Sequence, residues 1–100
     1  MYEEYQIEIP ASFMALYVDP VQQKPKASRD VVAARYELCE DMASMLTESA
    51  NSMLFRLSIA QTDVLMKCHH GLISQGAVVT VPEAGWVIRR LAELLGWEHL

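Results

Sequence analysis

Long apolar runs are scarce in this chain, glycine is held to four residues, proline to four and cysteine to two. The longest apolar stretch, Phe13 to Val18, is too short to cross a bilayer, so no membrane-spanning helix and no membrane partner are expected. None of the four glycines belongs to a Gly-x-x-x-x-Gly-Lys-Ser/Thr loop, which removes that way of cradling a nucleoside triphosphate. With two cysteines, a secreted disulfide framework is not indicated, and Cys39 and Cys68 are expected as reduced, buried thiols. Basic residues are also in short supply, eight against thirteen acidic ones, for a net charge of -5. That balance repels a phosphate backbone unless cations gather on one face, and only Arg89-Arg90 forms a pair. The amino terminus, Met1-Tyr2-Glu3-Glu4-Tyr5, is acidic where a secretion signal is basic, which predicts a soluble cytoplasmic protein.

What the chain has in quantity is helical periodicity. With 52% hydrophobic residues in 100, it can bury one core as a single domain. From Val32 to Leu57 an unbroken 4,3 spacing of apolar or small residues runs through Tyr36, Cys39, Ala43, Leu46, Ala50 and Met53. No glycine or proline interrupts it, so it predicts one long helix over 28–57 with a seam that must be buried. Ser28 is placed as its N-cap, with Asp30 complementing the helix dipole. A third helix is expected over 59–74, opened by a capping box at Ser58 to Gln61 and buried through Val64, Leu65, Cys68, Leu72 and Ile73. A fourth, over 81–95, starts from a second capping box at Thr80 and Glu83. It packs Ala84, Ile88, Leu91 and Leu95 along one line, widened by Val87 and Leu94, and ends at Gly96 in a left-handed cap with Trp97 folded back. Residues 1–9 read as an arm. Residues 10–19 read as a short buried helix, with a hairpin of 5–9 against 13–18 as the rival, and 20–27 as a surface loop. The predicted fold is therefore all-α, a small helical bundle built around one long central helix.

Such a helix is about 43 Å long at 1.5 Å per residue, more than either later helix can cover alone. The excess admits a homodimer in which Ala43 and Ala50 let two long helices approach and Arg35 faces Glu40 across a parallel pair.

Chemistry-bearing residues are sparse. Cys68-His69-His70 stands out, but three consecutive helical residues point about 100° apart and cannot converge on one ion, and neither Cys-x-x-Cys nor His-x-x-x-His occurs. No catalytic group, metal or cofactor is assigned, and an enzyme is not expected; a thiol or metal enzyme using these residues is the remote alternative. Glu37, Glu40 and Asp41 form an acidic patch with no cation three or four residues away, which suits a basic partner or an internal match to Arg89-Arg90. Trp86, Arg89 and Arg90, with Glu93, face away from the apolar line of the fourth helix, and Trp and Arg are interface-anchoring types, the other reading being that Trp86 is partly buried under the amino-terminal arm. These six residues, Glu37, Glu40, Asp41, Trp86, Arg89 and Arg90, are the candidate partner surface. A helix-turn-helix regulator built from the third and fourth helices is the alternative, though the connection is longer than such motifs use.

Three strings, Ile9-Pro10-Ala11-Ser12-Phe13-Met14-Ala15-Leu16-Tyr17-Val18, Ala34 to Ala43 (ARYELCEDMA) and Glu83 to Trp97 (EAGWVIRRLAELLGW), resemble a family of short uncharacterised proteobacterial proteins. Members sometimes carry the label "ATPase with chaperone activity". The missing phosphate loop departs from that label, so what the resemblance implies is a bacterial accessory or adaptor role beside such a machine.

Overall fold

A computed structural model of the chain describes residues 8–19, 21–22, 24–74 and 76–97. The fold is all-α, a small helical bundle built around one long helix, in the order α1 (Ala11–Met14), α2 (Arg29–Leu57), α3 (Gln61–Ile73) and α4 (Val81–Leu95). The chain divides into two compact units, Met1–Leu38 and Cys39–Leu100, with α2 running through both.

In the first unit Pro10 opens α1, and its carbonyl accepts from the Phe13 and Met14 N–H groups at 3.0 Å. Pro is suited to this place because it has no N–H to leave unpaired. The helix tightens into a 3-10 turn over Ala15–Tyr17 and stops at extended Val18. Residues 13–17 are thus helical, which removes the hairpin alternative. The expected burial of the whole segment is corrected, since Phe13 is fully buried while its neighbours are half-buried or exposed. Phe13 stacks near Tyr17 and meets Tyr36 of α2 edge-on, with centroids 5.7 and 5.6 Å away. The loop that follows is tied: Val18 bridges Pro25, and the Lys26 N–H donates to the Tyr17 carbonyl at 2.6 Å. Asp19 Oδ1 accepts from the Val21 and Gln22 N–H groups at 2.8 and 3.0 Å. Those two backbone bonds, Gln22 first, hold its carboxyl below the usual aspartate range. The predicted arm lies outside the described residues except for Glu8 and Ile9.

Ser28 caps α2 as expected, its Oγ accepting from the Val31 N–H at 3.3 Å. Val32, Cys39, Ala43 and Ala50 are buried, and Tyr36, Leu46 and Met53 half-buried. The seam stops short of its predicted end, because Leu57 is 46% exposed. Ser58 explains both this and a second correction. It adopts the left-handed conformation, φ 52°, and ends α2, its N–H reaching the Leu54 carbonyl at 3.2 Å. Ser58 therefore does not open α3; the N-cap is Ala60, with no side-chain hydrogen bond, and Ile59 rather than Leu57 packs onto the core.

The core of the second unit is Ala50 of α2, Val64, Leu65 and Cys68 of α3, Leu91 and Ala92 of α4, and Trp97, edged by Leu46, Met53, Leu54, Ile59, Ile88 and Leu95. The end structure of α4 follows the sequence closely. Thr80 Oγ1 accepts from the Glu83 N–H at 3.2 Å and Glu83 Oε1 from the Thr80 N–H at 2.9 Å. At the far end Gly96, at φ 76°, lets the Trp97 N–H return to the Ala92 carbonyl at 2.8 Å and seats the indole in the core.

Candidate protein-docking groove

The six residues singled out in the sequence separate in the structure. Glu40 and Arg90 come together: Arg90 Nε donates to Oε1 and Oε2 of Glu40 at 3.0 and 3.1 Å, and Nη2 to Oε2 at 2.9 Å. Nη1 donates to Glu93 at 3.0 Å. These bonds, Glu40 first, raise the guanidinium above its ordinary value. The internal match to the arginine pair is thus made by Arg90 alone, and it occupies both the centre of the acidic patch and one cation of the fourth helix. Glu37, Asp41 and Arg89 stay exposed. Of the two readings of Trp86, surface anchor or buried residue, the second holds: it is 7% exposed and leaves the candidate surface. With Ala84 and Val87, both fully buried, it widens the buried face of α4.

Cys68, His69 and His70 diverge as helical geometry requires, with Cys68 buried, His69 half-buried and His70 exposed. Burial pushes the Cys68 thiol up, away from thiolate reactivity. Among the described residues, no group of three or more His, Cys, Asp or Glu is placed to hold a metal ion.

What the structure adds is an apolar groove of about 560 Å³ along α3, lined by Thr62, Leu65, Met66, His69, His70, Ile73 and Ile88 of α4. Leu65 forms its floor, at 2% exposure, while Met66 stands 69% exposed on its wall and Ile73 39%. Ile73 is therefore corrected from the buried face of α3 to its outer edge, and Leu94, 40% exposed, likewise lies at the edge of α4's apolar face and not within it. The signal for this surface was in the sequence: Thr62, Met66, His69 and Ile73 repeat the 4,3,4 spacing that marked α2, on a different face from Val64, Cys68 and Leu72. A second cleft, of about 430 Å³, lies between α2 and the end of α4 and is walled by Ser44, Thr47 and Asn51 opposite Leu94 and Leu95. Thr47 there spends its hydroxyl proton on the Ser44 carbonyl at 2.7 Å, as helical threonines do.

Fold and groove define a small all-α bundle with an apolar groove along α3. No family model, curated protein or solved structure matches the chain. Among the described residues no helix is long and apolar enough to cross a membrane.

Proposed function

We propose that this chain is a non-enzymatic bacterial protein-interaction module, cytoplasmic in location, whose docking surface is the α3 groove and whose occupant is an amphipathic helix. The observation that carries the reading is the outer line of α3. Met66 and Ile73, seven residues apart, stand open to solvent over a floor made by Leu65 and Ile88. That is the geometry by which a groove receives the apolar side chains of a helix at i, i+3, i+4 and i+7, and methionine is the side chain that best adapts to such an occupant. The Trp86 and Arg90 face is withdrawn from the docking surface, because one residue is buried and the other is engaged with Glu40 and Glu93. The same engagement leaves Arg89 as the more available cation of α4, which supports a protein partner over the DNA-reading alternative. A bacterial origin and an adaptor role rest on the resemblance of residues 9–18, 34–43 and 83–97 to short proteobacterial proteins.

The test is affinity purification from the native cell with the wild-type chain, Met66→Glu and Arg89→Glu. The reading requires a protein, either a foreign one or the cell's own untagged copy of this chain, recovered with wild type and Arg89→Glu and lost with Met66→Glu. Equal recovery with Met66→Glu, or no enriched protein, contradicts it.

A further inference from the structure

The groove has a candidate occupant within the same sequence. We propose that α3 of a second copy lies antiparallel in it, so that the chain is a two-fold homodimer held by Thr62, Met66, His69 and Ile73; this rests on the docking-surface reading above and names its partner.

The argument begins with register. Residues 62, 66, 69 and 73 follow the 4,3,4 spacing of a coiled-coil seam, where alternate core positions of one helix meet those of the other. Laid antiparallel about a two-fold axis midway between Met66 and His69, each Met66 meets His69 of the second copy, and each Thr62 meets its Ile73. Thioether against imidazole ring and methyl against methyl are both favourable pairings. The seam is short, about 16 Å from Thr62 to Ile73 at 1.5 Å per residue.

Charge fixes the direction. Of the positions beside the seam, Leu65 and Leu72 are buried inside their own chain, at 2% and 8% exposure. On the open side stand Asp63 and His70, both exposed. In the antiparallel register Asp63 of one copy faces His70 of the other, twice over. The imidazole N–H donates to the carboxylate whether or not the ring carries a charge. In a parallel pair the Asp63–His70 edge of one copy would instead face the Leu65–Leu72 edge of the other, which is buried inside its own chain and offers no partner for either charge. The face is thus complementary to itself in one orientation only, as an isologous contact requires.

This places the homodimer on a different helix from the one suggested by the α2 seam. Ala43 and Ala50 are fully buried within one chain and cannot meet a second α2. The contact is smaller than a standard interface of about 1,600 Å², so association is weak, and it is read at protein concentrations of about 10 μM to 1 mM.

Sedimentation equilibrium of the full chain across that range tests the inference. Wild type shows concentration-dependent dimer. Met66→Glu, which puts a carboxylate at the dry centre, raises the dissociation constant about ten-fold or more while leaving helix content unchanged. Asp63→Lys weakens association about three- to ten-fold, and Asp63→Lys combined with His70→Glu restores it. Both carry the same unfavourable charge at the start of α3, so restoration reports on the pair between copies. A strict monomer at 1 mM, or a dimer indifferent to Met66→Glu and to the charge exchange, overturns the inference. A strict monomer whose Met66 side still captures a foreign protein from the cell overturns self-association alone. A monomer that captures nothing overturns the docking-surface reading with it.

Discussion

Helices α3 and α4 are of similar length and share one core, yet they are built differently. α4 is tied at both ends, by the reciprocal Thr80–Glu83 bonds and by left-handed Gly96, and it buries Glu83, Ala84, Trp86, Val87, Leu91 and Ala92. α3 begins at Ala60 without a side-chain cap, buries Val64, Leu65, Cys68 and Leu72, and leaves Met66 and Ile73 in water. A helix that turns most of its apolar residues inward, as α4 does apart from Val81 and Leu94 at 65% and 40% exposure, and that closes its ends secures the fold. One that keeps an apolar line outside retains surface that gains free energy when something covers it. The contrast assigns stability to α4 and leaves the open apolar line, where we propose binding, on α3.

The contrast breaks most visibly at Leu91, which is fully buried in the α4 side of the core. Leu91→Ala is expected to cost about 2–5 kcal/mol in urea unfolding, whereas Met66→Ala, on the exposed line of α3, stays within about 0.5 kcal/mol at concentrations where the chain is monomeric. Equal losses would show that the two helices are not divided in this way. Next comes the cap: Thr80→Ala removes the acceptor of the Glu83 N–H and is expected to lower stability by about 1 kcal/mol, while Ser58→Ala, which removes no cap of α3, changes little in the same measurement. Smaller again is the Glu40–Arg90 pair. Its side chains are 26% and 33% exposed, so water screens it despite its forked geometry, and a double-mutant cycle with Glu40→Gln and Arg90→Met is expected to give a coupling below about 1 kcal/mol.

The smallest effect is one of pH and belongs to the first unit. The Asp19 carboxyl titrates below an ordinary aspartate, so the contribution of its turn is present above the unfolded value of about 3.9 and is lost as pH falls through the lower, folded value. Following the Val21 and Gln22 amide shifts by NMR from neutral to acid checks this. A midpoint at or above the unfolded value contradicts it.

Much of this fold could be read before any coordinates. The uninterrupted 4,3 spacing of α2, Ser28 before it, the Thr80–Glu83 box and Gly96 with Trp97 all act within a few residues of themselves, and all stand where local chemistry put them. The misreadings share another cause. Ser58 carries the side chain of a cap but takes φ 52°, because the chain must reverse there to lay α3 on the core. Trp86 leaves the candidate surface and Ile73 the buried face, since which edge of an apolar stripe lies inside is decided by neighbouring helices. The Glu40–Arg90 pair spans fifty residues, and composition offered two ways to satisfy an acidic patch, of which packing chose the internal one for Glu40.

Two exposed methionines give the most direct test of the division between α3 and the rest. Met66 lies on the groove and Met45 lies on α2, exposed at 69% and 74%. With methyl-labelled methionine, the account predicts that the Met66 methyl resonance moves as protein concentration rises while the Met45 resonance stays fixed. A Met66 methyl that is unchanged over the same range, or a Met45 methyl that moves with it, would contradict the account.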